Sequence, residues 1–207
     1  HWSSTPDGGQ ADALRKGFEM ASGDLLAWIN ADDVYYPDAV ENAVDQWTKS
    51  GSDVVYGNRD LIDADGEWIG ERRTTPFPPT VGRLGMIYGG FGIYQPAAFW
   101  TRYFYNRVGG VDPSLKFAMD RDLLARFVAA EAEFKFIDSS LIQFRVHRAS
   151  KTSSIQAVGK LENEQIISRY PAKNSISTVA IHLGCLLWKA LYFIRTGRFR
   201  YIARRLF

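Results

Sequence analysis

The sequence predicts an α/β domain, because segments with helical spacing of apolar residues alternate with short apolar runs bounded by turn residues. A chain of 207 residues suffices for one such domain with an appendage, and 46% hydrophobic with 23% charged residues is a composition that folds. No internal repeat or low-complexity tract interrupts the alternation.

Gln10 to Ala21 is the first predicted helix. Ala13, Leu14, Gly17, Phe18 and Ala21 share one face at a 3.6-residue period, and Gly23 ends the segment. Asp24 to Asn30 is a short apolar run and predicts a buried strand, with Asp32 and Asp33 just past its carboxyl end. Pro37 suits the first turn of a second helix, whose inward residues are Ala39, Val40, Ala43, Val44 and Trp47. Asp53 to Gly57 predicts another strand. A hairpin turning at Asp65-Gly66 should join Arg59–Ile62 to Trp68–Arg72. Thr74 to Gly92 is rich in proline and glycine without a period, and predicts a long loop acting as a lid. Tyr94 to Tyr105 predicts a strand and a short helix, and Asp120 to Ala132 a helix with Leu123, Leu124, Phe127 and Val128 inward. Phe134–Ile137 and Leu141–Phe144 predict two closing strands.

Charge is distributed unevenly. Eight of the 25 Lys and Arg follow Glu164 and none of the 23 Asp and Glu does, which leaves 17 basic against 23 acidic residues before it. An acidic body with a basic tail implies a separate task for each. The single cysteine, Cys185, cannot form an internal disulfide, and no basic segment leads into an apolar run at the start. These features point to the cytoplasm, and the basic tail to the inner face of the membrane.

Ligands of open α/β sheets sit at the carboxyl ends of the strands, where this sequence places Asp32 and Asp33. Adjacent carboxylates there suit a hard divalent cation, Mg²⁺ or Mn²⁺, on a diphosphate; phosphate and water complete its shell. The competing role is structural, with Asp32 capping the next helix and Asp33 solvated. Asp120 opens a helix, and its own reading is an N-cap for that helix. Arg145, Arg148 and Lys151 could neutralise phosphate.

The run from Pro6 to Ala39 closely resembles family 2 glycosyltransferases of the GT-A fold, in which a Rossmann-like mixed sheet is flanked by helices. It contains Asp7-Gly8-Gly9-Gln10-Ala11-Asp12-Ala13, Ala21-Ser22-Gly23-Asp24 and Asn30-Ala31-Asp32-Asp33. The resemblance continues through Asp53–Gly57, Gln95–Trp100, Val108–Asp112, Asp120-Arg121-Asp122-Leu123 and Phe144–His147, and ends with Ser150-Lys151-Thr152. It implies transfer of a sugar, with inversion, from a nucleoside diphosphate to a glycan or lipid-linked acceptor. Asp33 would bind the metal and Asp32 the ribose or the metal. Asp120 would be the catalytic base, and His147 would touch metal or diphosphate. Gln95 and Trp100 would border the sugar and acceptor pocket, although Trp100 also suits the core. Asp7, Gln10 and Asp12 would anchor the first helix near the donor, with Asp7 and Gln10 on the donor side. Asp122 matches the substrate side, but its spacing also allows an i,i+4 pair with Arg126. The family usually has Glu before the base, where this sequence has Met119.

The resemblance starts after the strand–helix–strand unit with which family members open, so the GT-A sheet is expected to be N-terminally incomplete. Residues 1–155 then form the catalytic domain and 156–207 a basic helical segment. Within that segment Leu183, Leu186, Leu187, Ala190, Leu191 and Ile194 form one helical stripe, and Phe199, Ile202, Ala203 and Leu206 a second. His182 and Lys189 interrupt the apolar stretch and make it a poor membrane span. The flanking arginines predict peripheral contact with an anionic membrane, or a homo-oligomer built through these helices. No motif supports nucleic-acid binding. A nucleotidyltransferase would require a glycine-rich basic phosphate loop that this sequence lacks. A catalytically inactive glycan-binding or scaffold module of the same fold is the alternative function.

Overall fold

The computed structural model describes residues 4, 6–78, 81–88, 92–147, 156–170, 178–198 and 201. A six-stranded mixed sheet runs in the order β1-β5-β3-β6-β2, with β4 paired to the far half of β3. The strands are β1 (Leu25–Leu26), β2 (Val34–Tyr35), β3 (Val54–Ile62), β4 (Trp68–Arg72), β5 (Ala98–Thr101) and β6 (Phe134–Arg145). The helices are α1 (Gln10–Met20), α2 (Ala39–Ser50), α3 (Val81–Tyr88), α4 (Arg102–Arg107), α5 (Met119–Ala129), α6 (Gln156–Ser168) and α7 (Thr178–Arg195). A 3₁₀ turn over Gln95–Ala97 precedes β5.

The central pair is β3 with β6. They run parallel from Val54↔Phe134 to Ile62↔Arg145, and the register shifts between Tyr56 and Arg59. Two closing strands were expected here, but β6 is one continuous strand bulged against β3. Gly57 permits this, since a Cβ there would lie 2.7 Å from Leu141 Cγ and 2.9 Å from the Ser139 carbonyl oxygen. The other neighbours of β3 are antiparallel: β5 along Val54–Tyr56 and β4 along Arg59–Ile62, the latter through the expected Asp65-Gly66 hairpin.

One face of the sheet carries an aromatic core. Trp100 packs edge-on to Trp28 at 5.2 Å between ring centroids and lies 6.0 Å from both Phe18 and Phe127. Helices α1 and α5 close this face through Ala11, Phe18, Leu123, Leu124, Phe127 and Val128. A smaller core on the opposite face joins Ala39 and Ala43 of α2 to Phe99, Leu141 and Ile142. Only part of the expected inward face of α2 is buried, because the alanines pack and leave Val40 and Val44 outside.

Three further expectations change. The predicted strand over Asp24–Asn30 forms a ladder only at Leu25–Leu26, which has one neighbour, β5. Its outer side lines an apolar groove of about 580 Å³ against Leu14, Gly17 and Phe18 of α1. Of Thr74–Gly92, expected to be a loop, residues 81–88 form α3, whose Met86, Ile87 and Tyr88 are buried in the main core and which packs on α5 and α7. Gly82 and Gly85 obscured the helical period there. In α7 the docked residues are Ile181, Cys185 and Phe193, whereas the predicted stripe of Leu183, Leu186, Leu187, Leu191 and Ile194 faces outward. By length and composition α7 is apolar enough to cross a membrane, with mean hydropathy 1.2 and 17% of the span buried. The second expected stripe, Phe199, Ile202, Ala203 and Leu206, lies outside the described residues.

Candidate active site

Residues 27–31 carry the chain from the end of β1 to the Asp32-Asp33 turn. The Asp33 amide donates to the Asn30 carbonyl at 3.2 Å, and Asn30 Nδ2 donates to Asp33 Oδ2 at 3.0 Å. Strand β2 then pairs with β6 at Val34↔Gln143, and the Arg145 amide donates to Asp33 Oδ1 at 3.0 Å. Asp33 is therefore fixed from both sides and only 8% exposed. Burial, its largest influence, raises its pKa above the ordinary 3.8; the two hydrogen bonds oppose that shift, and the neighbouring Asp32 adds to it. Asp32 is more open, with 43% of its side chain exposed, and its Oδ2 lies 2.9 Å from His147 Nε2.

A cleft of about 470 Å³ opens beside this turn. Its lining includes Gln10, Asn30, Asp32, Arg59, Gln95 and Asp120, with the rings of Tyr94, Phe117 and Phe144. Gln10 reaches it from α1, its Nε2 donating to Asn30 Oδ1 at 3.2 Å. Gln95 is anchored by donating to the Trp28 carbonyl at 2.9 Å. Asp120 enters from the first turn of α5 and its Oδ1 accepts the Arg121 amide at 2.7 Å, so it is held at a helix N-terminus, where negative charge is favoured. The cleft thus brings together Asp32, Gln10, Gln95 and Asp120, and adjoins Asp33 and His147.

Four predicted site residues sit elsewhere or are otherwise engaged. Trp100 is 1% exposed and belongs to the aromatic core. Asp122 is completely buried and forms ion pairs with Arg126 at 2.6 Å and Arg169 at 2.8 Å, so it joins α5 to the turn that follows α6 rather than facing substrate. Asp7 accepts the Gly9 amide at 2.9 Å at the start of α1, outside the cleft lining. Arg145 donates through Nε to the Asp32 carbonyl and through one terminal nitrogen to the Asp63 and Ala64 carbonyls, all at 2.9 Å. It clamps the Asp32 turn to the β3–β4 hairpin. Arg148 and Lys151 lie outside the described residues.

Among the described residues no group of three or more His, Cys, Asp and Glu could hold a metal. Asp32 and Asp33 nevertheless suit a divalent cation that takes one or two carboxylates and completes its shell with phosphate and water. Each Asp33 oxygen accepts one hydrogen bond and keeps acceptor capacity, and a cation would relieve the buried charge. His147 pairs with the open carboxylate rather than the buried one.

Arg59 was not among the predicted site residues. Its guanidinium lies 4.2 Å from the Tyr94 ring centre and 4.5 Å from that of Phe144. The signal for it was a lone arginine in the otherwise buried strand Val54–Ile62.

The family model for glycosyl transferase family 2 matches residues 4–109. An uncharacterized glycosyltransferase of Rickettsia conorii is 28% identical over 158 residues, 72% of this chain and 25% of its own length. One from Rickettsia typhi is 26% identical over 173 residues, 78% of this chain and 51% of its own. One from Mycobacterium tuberculosis is 29% identical over 130 residues, 61% and 47% respectively. The chain therefore spans a quarter to about half the length of these curated relatives. The crystal structure of S. aureus TarS 1-349 in complex with UDP-GlcNAc superposes with a TM-score of 0.61 at 15% identity, over 95% of this chain and 57% of that one. The mixed sheet flanked by helices is the GT-A fold. The chain belongs to glycosyl transferase family 2.

Proposed function

We propose that the cleft is the transfer site of an inverting glycosyltransferase that moves a sugar from a nucleoside diphosphate to a hydroxyl of a glycan or lipid-linked acceptor. The observation that carries this reading is the convergence of Asp32, from the turn after β1, and Asp120, from the first turn of α5, on one cleft. Asp120 accepts the acceptor proton as the hydroxyl oxygen attacks the anomeric carbon, and the bond from that carbon to the diphosphate breaks on the opposite face. Such displacement inverts the anomeric centre. Asp32 and Asp33 would hold Mg²⁺ or Mn²⁺, which when bound supplies Lewis-acid stabilisation of the departing diphosphate. Gln10 and Gln95 orient the bound sugar through their amides.

UDP-GlcNAc is bound by TarS, and a nucleotide-sugar donor for this chain accords with that likeness. The outward apolar face of α7 and the excess of basic residues after Glu164 support contact with a membrane carrying the acceptor, at its cytoplasmic face, or with a second copy. The alternative, an inactive glycan-binding module, is favoured by Met119, which stands where the family usually has Glu and is buried in the core.

Titration of UDP and GDP in the presence of Mn²⁺, repeated with Asp32→Ala and Asp33→Ala, separates the two. Metal-dependent binding lost in both variants supports the transfer site. A folded protein that binds neither nucleotide is the inactive module.

A further inference from the structure

Arg59 is the only basic residue among the described residues lining the cleft. Tyr94 and Phe144 engage the guanidinium by cation–π attraction, its carbon 4.2 and 4.5 Å from their ring centres, an interaction that occupies none of its N–H groups in a hydrogen bond. Among the described residues, Arg59 makes no ion pair within 4.0 Å and no side-chain hydrogen bond. Its Nε is sealed from solvent without a partner, whereas the terminal nitrogens are not sealed. Arg72, opposite Arg59 on β4, donates to the Glu71 carbonyl, Arg145 donates to backbone carbonyls, and Arg73 engages Glu71 and Ser140.

Burial lowers the pKa of Arg59 as its largest influence; Tyr94 acts in the opposite direction, the like charge of Arg72 adds to the lowering, and Asp33 opposes it from beyond ion-pair distance. A guanidinium remains charged under such burial, so the charge persists inside a half-enclosed cleft. The terminal nitrogens are not sealed and have no protein partner among the described residues, so they are the donors that a ligand in the cleft can reach. The ligand chemistry follows from the donor. A planar fork of N–H groups held between two aromatic rings matches the paired oxygens of a phosphate or carboxylate.

We propose that Arg59 is an oxyanion-binding residue of the cleft, its fork taking phosphoryl or carboxylate oxygens of a substrate while Tyr94 and Phe144 hold the guanidinium plane. The choice of substrate rests on the transfer-site reading. A phosphoryl partner places Arg59 on the donor diphosphate, as a second positive group beside the Asp32-Asp33 turn. A carboxylate partner makes it a selector for acidic acceptor sugars. The oxyanion contact itself depends on neither choice.

The test observes the arginine Nε–H resonances of the folded chain by ¹H–¹⁵N NMR, with the Arg59 signal assigned by its loss in Arg59→Lys. The sealed Nε–H makes that signal slow to exchange. Pyrophosphate and glucuronate are titrated separately, without metal. The expected result is a saturable shift of the Arg59 resonance by at least one of them, with affinity for that anion about tenfold weaker in Arg59→Met. A pyrophosphate response identifies the donor diphosphate, and a glucuronate response identifies an acidic acceptor. If neither anion moves the resonance in a folded sample, Arg59 only offsets the charge of Asp33 and the proposal is overturned. Failure of the transfer-site reading looks different, because UDP and GDP then fail to bind with Mn²⁺ while the Arg59 response to an anion stands.

Discussion

Glu162 Oε2 accepts the Ala118 amide at 2.8 Å, two residues before Asp120. The same carboxylate accepts the Phe117 amide at 2.9 Å and the Lys116 amide at 2.7 Å. One side chain of α6 thereby satisfies three backbone donors ahead of α5, including the segment that carries Phe117 into the cleft. Residues 156–170 are thus built into the support of the candidate base.

Glu162→Ala should cost about 3 kcal/mol, because charge-assisted bonds are lost and buried amides are orphaned. Glu162→Gln should cost less, since its carbonyl oxygen still accepts. Urea unfolding checks both. Equal stability of Glu162→Ala and the parent would mean that the three amides find other partners.

The buried Asp122 gives a prediction of opposite character. Removing it leaves Arg126 and Arg169 facing each other without their shared counter-charge, so Asp122→Ala should cost about 3–5 kcal/mol. Arg169→Ala removes a partially exposed partner and should cost about 1 kcal/mol. In Arg169→Ala, which stays folded, nucleotide affinity should match the parent. A selective loss of affinity in that variant would return Asp122 to the substrate side.

These two carboxylates mark where the sequence was legible and where it was not. Asp32 and Asp120, singled out by short motifs at the end of a strand run and the start of a helix, do line one cleft, which Asp33 adjoins. Asp122 shares its motif with Asp120, yet two positions along a helix point elsewhere, and its pairing with Arg169 spans 47 residues. Trp100 and Arg59 show the same limit on strands, where a period of two does not tell which face carries the cleft. Helix α3 was missed because its glycines broke the pattern, and the outward stripe of α7 was read without its docked residues, since a helix can be apolar on two faces.

The raised pKa of Asp33 has a signed consequence. Its charged form is disfavoured in the folded state, so it reduces stability above the ordinary carboxylate pKa, and the cost is relieved as pH falls through its folded value. Metal-free protein should therefore gain stability relative to Asp33→Asn as pH is lowered from neutral into that range. Thermal melts of both proteins over a pH series, in chelator, test this. A difference that is flat with pH would place the Asp33 pKa at its unfolded value.

The two faces of α7 should separate folding from association. Leu183 and Leu187 are 61% and 62% exposed, so Leu183→Glu and Leu187→Glu should change stability by less than about 0.5 kcal/mol. Ile181 is 4% exposed against the domain, and Ile181→Glu buries an unpaired carboxylate and should cost several kcal/mol. Sedimentation with vesicles of anionic lipid, compared with neutral lipid, then reads the outward face alone. Loss of vesicle binding in the two leucine variants at unchanged melting temperature assigns that face to the bilayer, where apolar burial and basic residues act together. Loss of a dimer by light scattering in the same variants, with no vesicle binding by the parent, assigns it to a second copy. Association unchanged in both assays would leave the outward leucines without part in either contact.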